Sequence, residues 1–144
     1  MYDILCLASR RSKVAVIGVG AAGLAALRHL STRLDALEPV AFEQTSNIGG
    51  TWCYTDQVGN DENGLPIHSS MYKNLRTNLP KEVMAFPDFP FDEKLPSFMR
   101  HTDVLDYLEK YAAHFNVLKF VKVYSYIHTH AHIYMCTYIF LLYI

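Results

Sequence analysis

Val14-Ala15-Val16-Ile17 is apolar at every position, as expected of a strand buried on both faces of a parallel sheet. Gly18 breaks the run, and from Ala21 the apolar residues recur at helical spacing. Gly23, Ala26, Leu27 and Leu30 share one face, with Arg28 and Ser31 outside it. A second short apolar run, Val40-Ala41-Phe42, ends in Glu43. Lys13 to Glu43 therefore reads as strand, turn, helix, strand. Gln44 to Leu95 is rich in Gly, Pro, Asn and Asp and has little periodicity. Only short pieces, such as Glu82 to Ala85, suit a helical turn or a strand. A stretch of this length inside a domain is normally functional. Periodicity returns in a helix that Thr102 or Asp103 can cap, with Leu105, Leu108, Ala112 and Phe115 on its apolar face. Val117 to Val123 reads as a further strand.

Composition narrows the classes. The chain has 144 residues, 51% apolar and 19% charged, enough for one domain with a core. A net charge of −1 gives no bulk field favouring nucleic acid or an anionic membrane. Cys6, Cys53 and Cys136 are scattered, with no C-x-x-C pair. They suit a reducing compartment better than a disulfide framework or a zinc site. Met1 to Ser12 reads as an amino-terminal extension with no apolar stretch of signal-peptide length.

The candidate chemistry starts at Gly18-Val19-Gly20-Ala21-Ala22-Gly23, which fits G-x-G-x-x-G between a strand and a helix. Gly18 allows the tight turn, Gly20 lets backbone approach a pyrophosphate, and Gly23 lets the helix pack on the strand. The helix start, at Ala21 and Ala22, offers unpaired N–H groups to phosphate. Glu43 follows Gly23 by 20 residues, where a carboxylate can accept from both hydroxyls of an adenosine ribose and would repel a 2′-phosphate. The site should therefore take FAD or NAD rather than NADP, and the pattern alone leaves those two open.

Asn47-Ile48-Gly49-Gly50-Thr51-Trp52 resembles the Gly-Gly-x-Trp element of flavin-containing and Baeyer–Villiger monooxygenases. Tyr72 to Glu82, with Thr77-Asn78 and Lys81-Glu82, resembles the Thr-Asn-x-x-Lys-Glu segment of flavin-containing monooxygenases. Asp88-Phe89-Pro90-Phe91, Pro96-Ser97-Phe98-Met99 and Tyr107-Leu108-x-x-Tyr111-Ala112-x-x-Phe115 continue that family's pattern in order. The similarity runs from Lys13 to Val123. It implies an α/β chain containing an incomplete Rossmann-type FAD-binding domain over 13–123.

Such enzymes reduce FAD with NADPH, and the reduced flavin takes up O₂ as a C4a-hydroperoxide that oxygenates a small-molecule nitrogen or sulfur nucleophile. The cofactor supplies that chemistry while the protein positions it. By the same resemblance Asn78 lies near the flavin and NADP. Gln44, Gly49, Gly50, Thr51 and Trp52 belong to the cofactor surround beside Gly18, Gly20, Ala21, Ala22, Gly23 and Glu43. Taken singly, Gly49-Gly50 reads as a turn, Trp52 as a core anchor and Asn78 as a backbone cap. Lys81-Glu82 reads as a solvated pair, and His29, His68, His101 and His114 as surface or helix-face residues. The resemblance implies a cytoplasmic or endoplasmic-reticulum setting, and membrane association is not expected from the sequence.

The family continues with a second glycine motif for NADPH, whereas no other G-x-G follows Gly20. The expectation is an adenosine-diphosphate half-site with part of the flavin surround, poor FAD affinity and no NADPH-driven turnover. The rivals are a catalytically inactive product and another FAD or NAD oxidoreductase.

Residues 124–144 are almost uncharged and depart from the pattern. His128, His130 and His132 would share one face of a strand, which gives one reading as a metal site, and the length approaches a membrane span, a second reading. From Tyr126 to Ile139, however, His, Tyr or Cys alternates strictly with Thr, Ala, Ile or Met. That pattern is compatible with one pyrimidine–purine alternating DNA tract, which favours read-through of non-coding sequence. The tail is then expected to add nothing to the fold.

Overall fold

The computed structural model describes residues 11–61, 64, 66–67, 69–125 and 141–143. A four-stranded sheet in the order β3-β2-β1-β4 forms its base. β1 (Ser12–Ile17) and β2 (Leu37–Phe42) pair in parallel from Ser12↔Leu37 to Ile17↔Phe42. Val14, Ala15 and Val16 are each at most 2% exposed, so both faces of β1 are covered, as its unbroken apolar run requires. The crossover is α1 (Ala21–Leu30), which buries Gly23, Leu24 and Leu27. β3 (Val121–Lys122) pairs in parallel with β2. The rest of the expected strand at 117–123 is different: Val117 is buried and Leu118–Phe120 is a 3-10 turn. Asn116, at φ 51°, redirects the chain just before it, a conformation that asparagine tolerates.

α3 (His101–His114) lies across α1 and closes the core with Val104, Tyr107, Leu108, Tyr111 and Ala112. Its start differs from the expected cap at Thr102 or Asp103. Arg100 is the N-cap, and Asp103, inside the first turn, accepts the Arg100 N–H at 2.9 Å. An acidic side chain three residues into a helix reaches back in this way. The buried face is also more aromatic than the Leu105-to-Phe115 pattern suggested. Tyr107 accepts the Phe86 N–H at 2.8 Å and donates to Phe89 O at 2.6 Å. The α3 ring thereby fastens the turn that follows α2 (Lys81–Met84). Arg28, expected outside the core face of α1, lies 4.2 Å above the Phe115 ring and pairs with Asp88 at 3.3 Å. Its aliphatic stem and planar guanidinium cover the aromatic cluster.

Three residues of the tail depart from the expectation that it adds nothing to the fold. Leu141–Tyr143 forms β4, antiparallel to Val14–Val16. The outer edge of β1 carries N–H and C=O groups that β2 does not use, and such an edge takes up an extended segment. The histidines at 128, 130 and 132 and the alternating run through residue 139 lie outside the described residues. Among the described residues no helix is long and apolar enough to cross a membrane.

Candidate dinucleotide site

The carboxyl ends of β1 and β2 converge on the glycine turn. Gly18 leaves β1 at φ +83° and donates its N–H to Phe42 O at 2.8 Å. A Cβ on Gly23 would stand 2.0 Å from Gly18 O, so only glycine lets α1 sit this close to the turn. Gly20 is the N-cap of α1, contributes no side-chain cap, and no acid follows in the first turn. The positive end of a ten-residue helix is thus left for an external anion. Ala22 is exposed there and Ala21 half-buried.

Glu43 is 7% exposed, so it is not a solvated strand-end residue. Its Oε2 accepts the Val19 N–H at 2.7 Å, and Oε1 accepts the Thr45 N–H at 3.0 Å. The Thr45 hydroxyl has one proton to share between Glu43 Oε1 at 3.0 Å and Asn47 O at 2.9 Å. A carboxylate has about four acceptor sites. Oε2 keeps one free, and Oε1 gains one when the Thr45 hydroxyl turns to Asn47. Neighbouring Gln44 is exposed.

The second glycine pair rests on the first. Gly49 donates to Val19 O at 2.9 Å, and the Cβ position of Gly50 lies 3.1 Å from Gly20 Cα. Both adopt positive φ, +109° and +57°. A Cβ on Gly49 would meet Leu105 Cδ1 of α3 at 2.4 Å. The small residues at 49 and 50 therefore also serve protein packing. The chain then makes a 3-10 turn, Gly50–Trp52, which the Cys53 thiol anchors by donating to Ile48 O at 2.9 Å. Burial, with the Glu109 and Glu43 carboxylates adding to it, pushes the Cys53 thiol up and keeps it protonated.

Beyond that turn lies a cavity of about 320 Å³ lined by Thr51, Trp52, Tyr72, Arg76, Thr77 and Asn78 among others, at the lower end for ligand pockets. Trp52 serves two ends, packing against the core and lining the cavity. Asn78 is exposed.

Among the residues singled out from the sequence, Gly20, Glu43, Gly49 and Gly50 meet at the glycine turn that Gly18 to Gly23 form, and Thr51, Trp52 and Asn78 line the cavity; three further residues have places that periodicity could not mark. Thr77 is buried and accepts the Met99 N–H at 3.1 Å. His101, read from the sequence as a surface or helix-face residue, is buried. Lys81 is no idle surface charge: its Nζ donates to the carbonyls of Asp92, Glu93 and Leu95 at 2.6–2.8 Å. His29 and His114 are exposed, and His68 lies outside the described residues. Among the described residues no group of His, Cys, Asp or Glu could hold a metal.

A strand, glycine turn and helix with a buried acid at the end of the next strand define a dinucleotide-binding α/β unit. Residues 11–133 match the family described as Flavin-binding monooxygenase-like, and the chain belongs to it. The chain is 42% identical over 118 residues to senecionine N-oxygenase of Tyria jacobaeae, covering 82% of this chain and 25% of that protein. It is 40% identical over 110 residues to flavin-containing monooxygenase 3 of Homo sapiens, covering 76% of this chain and 19% of that one. S-allyl-L-cysteine S-oxygenase of Allium sativum superposes with a TM-score of 0.68 at 43% identity, over 82% of this chain and 29% of that structure. The chain thus spans about a quarter or less of these curated relatives' length.

Proposed function

We propose that this chain forms the FAD-binding part of a monooxygenase that uses NADPH and O₂ to oxygenate a nucleophilic nitrogen or sulfur of a small molecule. The observation that carries the proposal is the segment Gly49 to Trp52. It starts in contact with the glycine turn at Gly20 and ends in the cavity that Asn78 lines. One ligand with phosphates at one end and a ring system at the other would span both.

The residues present fit such a group. The start of α1 would hold the pyrophosphate, with Gly20 leaving room for it. Glu43 would accept from the ribose through its free Oε2 site, and from the second hydroxyl once Thr45 turns its proton to Asn47. Thr51, Trp52 and Asn78 would surround the flavin end, where an amide offers both donor and acceptor without charge. Bound FAD, reduced by NADPH, supplies the oxygen-activating chemistry; the protein's share is orientation and exclusion of water. Substrate class is supported by the relatives, one named for N-oxygenation and one for S-oxygenation.

The test is titration of the purified chain with flavin at concentrations that fill a weak site. FAD should bind with a perturbed absorbance spectrum, while FMN, lacking the adenosine half, should bind far more weakly. Retention of NAD without FAD would overturn the proposal.

A further inference from the structure

One buried polar side chain beside the cavity has no part in the site so far described. His101, the first residue of α3, is 6% exposed. Its Nε2 lies 3.1 Å from Lys73 O. A carbonyl only accepts, so Nε2 carries the proton in this contact. Nδ1 is buried without a hydrogen-bond partner among the described residues. A site that needed only volume would be better filled by an apolar residue, because burying an unpaired nitrogen costs stability. The ring packs 5.6 Å from that of Tyr54, which a phenyl ring would do as well, so what the imidazole adds is its one hydrogen bond, to a backbone carbonyl 28 residues earlier.

That bond belongs to a set. The His101 backbone N–H donates to Leu75 O at 3.2 Å, and the Thr77 N–H donates to Met99 O at 2.9 Å. The Met99 N–H returns to Thr77 Oγ1 at 3.1 Å, and Arg76 Nη1 reaches Phe98 O at 3.0 Å. The strip from Lys73 to Thr77 is thus stitched to residues 98–101, and His101 alone holds it by both side chain and backbone, on alternate carbonyls. Asn78 is the next residue. Its own amide makes no hydrogen bond among the described residues, so its place at the cavity depends on the strip beneath it.

We infer that His101 is a positioning residue that holds Lys73 O and Leu75 O so that the strip presents Asn78 to the cavity. The inference rests on the reading of this cavity as the flavin end of the site.

The experiment uses the full chain with His101→Phe, which keeps the ring and removes the donor, and His101→Gln, which restores an N–H at similar reach. His101→Met, a donor-free match for glutamine, carries the comparison should the phenylalanine variant not fold. Two quantities are read. One is hydrogen exchange of the Lys73–Asn78 amides without ligand. The other is quenching by FAD of Trp52, the single tryptophan of the chain and a cavity residue, with ADP binding read separately by isothermal titration calorimetry.

Exchange should rise about tenfold in the donor-free variants and return to within about threefold in His101→Gln, as loss and recovery of one hydrogen bond require. FAD affinity should follow the same order, and ADP affinity should not change. Unchanged exchange, or equal loosening with phenylalanine, methionine and glutamine, would overturn the positioning role. The expected exchange pattern in a chain whose Trp52 ignores FAD would support His101 as the holder of the strip and sink the flavin reading instead.

Discussion

The Glu43 carboxylate accepts the backbone N–H of Val19 at 2.7 Å, joining the end of β2 to the middle of the glycine turn. The acid that marks an adenosine site in the sequence is thus also a structural tie, and its two duties can be separated. Glu43→Ala leaves the Val19 N–H with no acceptor and should cost about 1–3 kcal/mol of stability, along with FAD affinity. Glu43→Gln keeps an acceptor for Val19 and should recover most of the stability while binding the ribose less well. Denaturant midpoints and FAD titration of both variants check the separation. Equal losses in both quantities for both variants would contradict it.

The glycines should divide in the same way. A Cβ on Gly20 meets only Gly50, at 3.6 and 3.9 Å, which is ordinary contact. Gly20→Ala should therefore fold, and Gly20→Val should fill the pyrophosphate's approach and abolish FAD binding. Gly23→Ala drives a Cβ into Gly18 O at 2.0 Å and should cost about 3 kcal/mol or more. Thermal melts read the second effect and flavin retention the first. A stable Gly23→Ala chain would show that the turn can open.

Asn78→Asp should leave FAD bound but set a negative charge at the cavity. An added negative charge disfavours electron-rich reduced flavin, so the midpoint potential of the bound flavin should fall. Every 1.4 kcal/mol corresponds to about 30 mV for a two-electron couple. A potentiometric titration showing no shift would remove Asn78 from the flavin's surroundings.

Tyr111 gives a prediction about alkaline stability. Tyr111 is 1% exposed, with the Phe86 ring at 4.5 Å and the Phe115 ring at 4.8 Å between centroids. Burial, with the Asp88 carboxylate adding to it, pushes the phenol up to about 12. A folded value raised above the ordinary value of about 10 means the contribution is whole below pH 10. It is lost as pH climbs from about 10 to about 12, to the extent of about 3 kcal/mol. Tyr111→Phe should match the parent near neutral pH and resist urea better at about pH 11. Parallel loss in both chains would assign the alkaline transition to other groups.

By itself, the sequence determined the βαβ order and the identity of the glycine turn. Four successive apolar residues before Gly18 and a helical period after it are local facts, set by which faces are buried and by where a Cβ fits. Several things were decided only by tertiary contact. Arg28 looks solvated on its own helix and becomes a cover for Phe115 because Asp88 and α3 come to it from elsewhere in the chain. Leu141–Tyr143 carries no strand signal beyond its apolarity, and it pairs because β1 offers an open edge. His101 reads as a polar residue at a helix start, and its burial follows from Lys73 O lying within reach. Hydrogen-bond partners 22 to 28 residues apart leave no periodic trace. Periodicity records which face of an element is covered, and the partner that covers it is chosen by the packing of the whole chain.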